Sequence, residues 1–272
     1  MSQTVRFSLL GPVQVTTADG ASRPLKGPKV NALLSLLLLN RGHVVDVETL
    51  IDELWEREPP RHAVSTVRTH VYHLRRFLAG HAGAGADEVL ATRPPGYTAA
   101  LDPDRVDTEV FTRLVDSGRR LLADGRNREA ADAGLAALRT WQGRPLENVA
   151  TGRLLRGHVR RLEELRIQAV EQRVEARMRL GEHRSLVPEL RDLVAAHPLN
   201  EWFHARLIEA LHLSGRRADA LVAFLEVRAV LDEELGVAPS AELRALQHRV
   251  LAEDEPRAAE RGARRGVLTA AP

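Results

Sequence analysis

The chain has 272 residues, room for one large domain or two ordinary ones, and its 44% hydrophobic and 28% charged content is that of a globular fold. It contains no cysteine, which excludes a disulfide framework, thiolate metal ligation and a cysteine nucleophile. The net charge is only +2, with +2 in residues 1–101 and zero in 102–272, so total charge is a poor argument for nucleic acid. Arginine outnumbers lysine 37 to 2, which lowers the weight of any single arginine. The opening MSQTVRFSLLGPVQV lacks the basic-then-apolar layout of a signal peptide. The apolar run at 32–39 is far shorter than the roughly 18 residues a membrane span needs. A cytoplasmic protein without a membrane partner is expected.

In chain order, Val5 to Thr16 and the segment near Leu25 read as short strands, with turns at Gly11-Pro12 and Asp19-Gly20. Gly27-Pro28 opens a helix, with proline at a tolerated first-turn position. Val30, Leu33, Leu34, Leu37 and Leu38 form its apolar side, and Asn40 to Gly42 ends it. Asp46 is placed to cap a second helix with the stripe Leu50, Ile51, Leu54 and Trp55, which Pro59-Pro60 breaks.

A third helix is predicted over Arg61 to Leu78. Val64, Val67, Val71, Leu74 and Leu78 fall on one side, and Ser65, Thr66, Arg68, Thr69, His70, His73, Arg75 and Arg76 on the others. No acid occurs between Pro59 and Ala86, whereas Asp46 to Glu58 holds six acids against one arginine. An amphipathic helix with an acid-free polar face suits insertion beside phosphates; it also suits an ordinary core helix with a solvated basic face. After a small-residue loop, segments 89–92 and 97–101 flank Arg93-Pro94-Pro95-Gly96 as a hairpin. Strands, two helices, a basic helix and a hairpin make a winged helix-turn-helix. Its third helix would enter the major groove and its hairpin would lie along the backbone.

Beyond Val106 the period is helical throughout. Gly125, Gly181 and Gly215 each end one helix and open another. The last two are 34 residues apart, the tetratricopeptide spacing, and Ala220 and Phe224 fit the second helix of such a unit. Gly125 and Gly181 are 56 apart, so the segment from Trp141 to Val149 interrupts the array. The expected fold is mainly α: an N-terminal winged helix-turn-helix (α+β) over 1–101, an all-α tetratricopeptide-like domain over 102–252, and a disordered tail over 253–272.

LLGPVQV, RGHVVDVETLIDELW, STVRTHVYHLRR and TRPPGYTAAL resemble the OmpR-type DNA-binding domain of SARP regulators, the actinomycete activators of antibiotic biosynthesis clusters. The resemblance continues through WQGRPL at 141–146, the segment 197–224 and LDEELGVAPSAELRALQHRVL at 231–251, the extent of a bacterial transcriptional activator domain. It implies a phosphorelay-type output domain of small type, without an attached receiver or nucleotide-binding module. The implied partners are double-stranded promoter DNA carrying direct repeats and RNA polymerase holoenzyme, including its sigma factor. It further implies a homodimer or cooperative pair on tandem repeats, and a nucleoid-associated location.

Position by position, the resemblance puts Thr66, Arg68, Thr69, His70, His73 and Arg76 on the DNA side of the third helix, with Arg75 at its edge. Arg93 and Tyr97 fall at the hairpin, near the backbone. The family commonly has a small residue where this chain has Tyr72 and a basic one at His73. His70 and His73 lack a nearby carboxylate to complete a metal site, so neither metal nor cofactor is expected. Trp55, Trp141 and Trp202 read as core. No Walker loop, G-x-S-x-G elbow or H-E-x-x-H occurs, so no enzyme is expected. The alternative function is a tetratricopeptide-like interaction scaffold whose winged helix does not bind DNA.

Overall fold

The structure, a computed structural model, describes residues 5–17, 20–82 and 89–252. The expected tail at 253–272, residues 83–88 of the expected small-residue loop and Asp19 of the expected turn lie outside the described residues, while the first three residues of that loop, 80–82, belong to a helix. The chain forms two compact units, Met1–Arg173 and Val174–Pro272.

The first unit opens with an antiparallel sheet of β1 (Arg6–Ser8), β2 (Gln14–Thr16) and β3 (Ser22–Arg23), in which Phe7 lies opposite Val15 and both are buried. Helix α1 (Pro28–Leu39) starts after Gly27, whose φ of 104° only glycine adopts without strain. Every residue from Val30 to Leu38 is buried, Asn31 and Ser35 included, not the single side expected. A helix apolar almost all round is one that other elements surround, and α1 is packed by α2 (Val47–Trp55), α3 (Ala63–Ala82) and the strand Gly96–Ala99.

The second sheet joins β4 (Val45–Asp46), β6 (Gly96–Ala99) and β5 (Leu90–Arg93) in that order. Strand β4 has no sequence signal, because two residues cannot show alternation. The hairpin tip is only Pro94-Pro95, since Arg93 and Gly96 pair with each other. Gly96 is required for packing: a Cβ there would stand 1.9 Å from the carbonyl oxygen of Val45. Asp46 caps α2 as its position predicts. Its carboxylate accepts the backbone N–H of Thr49 at 2.7 Å and the Thr49 hydroxyl at 2.9 Å, which holds its pKa below the ordinary value.

The same unit continues through α4 (Asp107–Ala123), α5 (Asn127–Leu138) and the first part of α6 (Arg153–Arg179). The N-terminal sheet is tied to this segment by its backbone. The Asp107 carboxylate accepts the N–H groups of Leu9 and Leu10 at 2.9 and 3.0 Å, and Arg105 donates to the carbonyl of Val5 at 2.8 Å. Gln142 and Leu146 donate their N–H groups to the carbonyls of Leu10 and Leu9, and the Asn148 amide bonds both polar groups of Val13. These partners engage backbone groups of the residues flanking β1 and β2 that would otherwise be unpaired.

Glu53, on α2 and only 4% exposed, accepts the N–H groups of Leu154 and Leu155 at 2.7 and 3.0 Å. A carboxylate at that helix start meets both exposed donors and the positive end of the dipole. Gly152 permits the approach, since a Cβ there would lie 2.4 Å from the Glu53 carbonyl oxygen. One hydrophobic core therefore runs from Val5 through the helix-turn-helix to Val106, Leu146, Leu155 and Val159.

The second unit holds the end of α6, then α7 (His183–Ala196), α8 (Glu201–Leu213), α9 (Arg217–Leu235) and α10 (Ala241–Ala252). Successive helices from α7 to α9 pack on one another, and α10 packs on α8 and α9. Gly125, Gly181 and Gly215 end their helices at φ of 73 to 77°, in the left-handed conformation their helix-ending role requires. Ala220 and Phe224 are buried, and the Asn200 side chain caps α8.

The three tryptophans stand at the edge of the core rather than inside it, Trp55 and Trp141 packing against its clusters. Each is half-buried and carries a cation on its face: Lys29 at 5.6 Å from the Trp55 ring, Arg166 at 4.8 Å from Trp141 and Arg206 at 5.5 Å from Trp202. An indole at the boundary keeps one face for packing and gives the other to a cation.

Candidate nucleic-acid interface

The rotation of α3 about its axis is fixed by what it buries. Ala63, Val67, Val71, Leu74 and Leu78 enter the core, so Val64, Ser65, Arg68, Thr69, Tyr72, His73 and Arg76 point to solvent. Val64, expected on the core side, is 44% exposed. Positions 63 and 64 both fit a helical period ending at Val67, and the structure puts the smaller residue inside.

Arg68, Arg76 and Arg93 form no ion pair among the described residues, and no acid lies in sequence between Pro59 and Ala86. The outer side of the neighbouring α2 is acidic, with Glu48, Asp52 and Glu56 exposed; Glu56 pairs with Arg156 at 2.9 Å. The charge of this end is therefore divided, cationic on the outward face of α3 and acidic along α2.

Two residues assigned to the DNA side turn inward. The His70 ring stacks on Trp55, with centroids 6.4 Å apart and planes 19° apart. Burial, then the nearby His73 and Lys29, push its pKa below the ordinary histidine value, so it is neutral in the α2–α3 seam. Lys29 in turn donates to the Leu54 carbonyl at the C-terminal end of α2, where a cation complements the dipole. The Arg75 guanidinium reaches the wing, donating to the Leu90 carbonyl at 2.9 and 2.7 Å and to the Thr92 hydroxyl at 2.9 Å. It fixes the hairpin to α3.

The Thr66 and Thr69 hydroxyls donate to the carbonyls of His62 and Ser65, both at 3.0 Å, and each oxygen keeps its accepting lone pairs. Thr69 is exposed and Thr66 half-exposed. At the hairpin, Arg93 is exposed beside the Pro94-Pro95 tip. Tyr97 corrects the expectation: it is 7% exposed and belongs to the core, opposite Val45 and Thr92 in the sheet. The ring lies on the central strand of the sheet, whose four residues are all buried, leaving Arg93 as the exposed cation at the tip.

Beside Val64 and Ser65, an outward residue that sequence reasoning did not place at the interface is Tyr72. Its ring is 58% exposed at the middle of the stripe, 5.8 Å from the His73 ring in an edge contact. The helical spacing of Ser65, Thr69, Tyr72 and Arg76 contained that signal.

An outward helix bearing arginine, threonine and histidine, with a cationic hairpin fixed beside it, defines a winged-helix transcriptional regulator. Residues 25–99 match the family described as "Transcriptional regulatory protein, C terminal", and residues 106–251 match "Bacterial transcriptional activator domain". The chain is 39% identical to the regulatory protein DnrI of Streptomyces peucetius, over 92% of this chain and 93% of that protein. It is 34% identical to the transcriptional regulator RedD of Streptomyces coelicolor, over 92% of this chain and 71% of that one. The solved structure of Mycobacterium tuberculosis EmbR in complex with a low-affinity phosphopeptide superposes with a TM-score of 0.88 at 35% identity, covering 92% of this chain and 66% of that one. The chain belongs to the SARP family of transcriptional regulators.

Proposed function

We propose that this regulator binds promoter DNA sequence-specifically and activates transcription without catalysing a reaction itself. Residues 1–101 recognise DNA, and residues 102–252, a tetratricopeptide-like scaffold, engage RNA polymerase holoenzyme through its sigma factor and other subunits. Two protomers occupy tandem direct repeats cooperatively, in the cytoplasm on the nucleoid, and the genes served form an antibiotic biosynthesis cluster. The single observation that carries this reading is the outward face of α3, which combines exposed cations with short polar side chains and no acid. Arg68, Thr69, His73 and Arg76 are the contacts there, with Thr66 at the edge and Arg93 on the backbone. His70 and Arg75 hold the reading helix in place.

The test is enrichment of duplexes from a random pool by the full chain, then gel shifts and transcription with purified polymerase. One sequence should emerge, bind with an affinity that falls steeply between about 50 and about 200 mM salt, and support activation. Failure to enrich any sequence, with no salt-dependent retention of DNA, would favour the interaction-scaffold function.

A further inference from the structure

We propose that Tyr72 is a base-reading residue of this protein and that its ring packs against the 5-methyl group of a thymine in the major groove. The inference rests on α3 being the reading helix and adds what it reads at its centre. Four observations carry it. Tyr72 is 58% exposed although a tyrosine has ample apolar surface to bury. It sits midway along the outward stripe, one turn from both Arg68 and Arg76. Its neighbours leave it the central place, because His70 is held on Trp55 and Arg75 on the wing. The His73 ring meets it edge-on at 5.8 Å, limiting how far the phenol can swing along the helix.

Of the groups that base pairs show in the major groove, the thymine methyl is the apolar one, and it is the natural contact for a ring face. Val64, also exposed, adds a second apolar group a little over two turns nearer the start of α3. The face is therefore mixed, cationic at Arg68 and Arg76 and apolar at Tyr72. A face serving phosphates alone would have no use for an exposed ring there.

Deoxyuridine, which is thymidine without the methyl, tests the contact directly. The full chain and its Tyr72→Phe and Tyr72→Ala variants are titrated against the enriched duplex and against versions with each thymine in turn replaced by deoxyuridine. Circular dichroism confirms that all three proteins are folded. At one thymine the replacement should weaken the wild type and Tyr72→Phe about fourfold, the worth of one buried methyl-sized group. Tyr72→Ala should be indifferent at that position.

If no thymine is sensitive in the wild type, or if Tyr72→Ala loses as much as the wild type, the contact does not exist. If Tyr72→Phe has already lost the sensitivity, the hydroxyl is the reading group and the methyl contact is wrong. Should the wild type enrich no sequence, α3 is not a reading helix and both proposals fall. Enrichment of a sequence without methyl sensitivity overturns this one alone.

Discussion

Arg68 lies one turn into α3 on the face turned from the core, whereas Arg93 ends a wing strand beside a rigid two-proline tip. A guanidinium at the front of a groove helix can bond a guanine edge through two parallel N–H groups, while one on a wing reaches only the sugar-phosphate backbone. Arg68→Ala should accordingly cost about 1–3 kcal/mol on the enriched duplex and much less on random DNA. Titrations on both duplexes decide it, and equal losses would make Arg68 a phosphate contact. Arg93→Ala should weaken both duplexes alike and reduce the slope of log K against log salt by roughly 0.9. Titration over a series of salt concentrations reads that slope; an unchanged slope removes Arg93 from the interface.

The elements around these residues are held by a few carboxylates, Glu53 buried and Asp46 and Asp107 partly buried, and Asp107 is the one whose charge is contested. It begins α4 and accepts the N–H groups of Leu9 and Leu10, which favours the charged form, yet burial pushes its pKa up to about 6. A raised folded value means that the native state takes up a proton the unfolded chain does not. The stabilisation is complete below about 4 and is lost as pH rises through about 6. His70, His158 and His204, all lowered chiefly by burial, act in the opposite sense, losing stability as pH falls below the ordinary histidine value. Asp107→Asn keeps an acceptor oxygen and removes the titration. The wild type should therefore gain stability relative to this variant on going from pH 7.5 to pH 5, read as the shift in urea midpoint. A difference independent of pH would mean that Asp107 does not titrate in this range.

These elements also mark how far the sequence could be read. Asp46 and the glycines at 125, 181 and 215 act through bonds to near neighbours, so local spacing revealed them. The outward face of α3 followed from periodicity, except at Val64, where the first turn offered two equivalent inward positions. Tyr97 was misplaced because a hairpin motif does not show that a third strand, β4, pairs with β6 and makes it the buried centre of the sheet. Arg75 and His70 were misplaced because their partners, Leu90 and Trp55, come from other elements. Glu53 reaches Leu154 across about a hundred residues, and no local pattern announces such a pair.

At the scale of the molecule, the proposed DNA-reading elements all precede Leu101, but the core that supports them does not stop there. Val106, Leu146, Leu155 and Val159 complete the same cluster as α1, α2 and α3, and none of the four is more than 8% exposed. Burying such side chains contributes about 1.5–3 kcal/mol each, so their joint loss is comparable with the roughly 5–15 kcal/mol that holds a domain together. A fragment of residues 1–101 would also leave the N–H groups of Leu9, Leu10 and Val13 without their acceptors, and Glu53 buried without its donors. A fragment of residues 1–179, which ends with α6, keeps all of these. It should unfold cooperatively in urea and retain the affinity of the full chain for one half-site. The 1–101 fragment should show little cooperative unfolding and correspondingly weak binding. If 1–101 melts with the same midpoint and binds the half-site equally well, the contacts to Asp107, Asn148 and Leu155 are not what stabilises the reading helix. Recognition would then be separable from the helical half at Leu101.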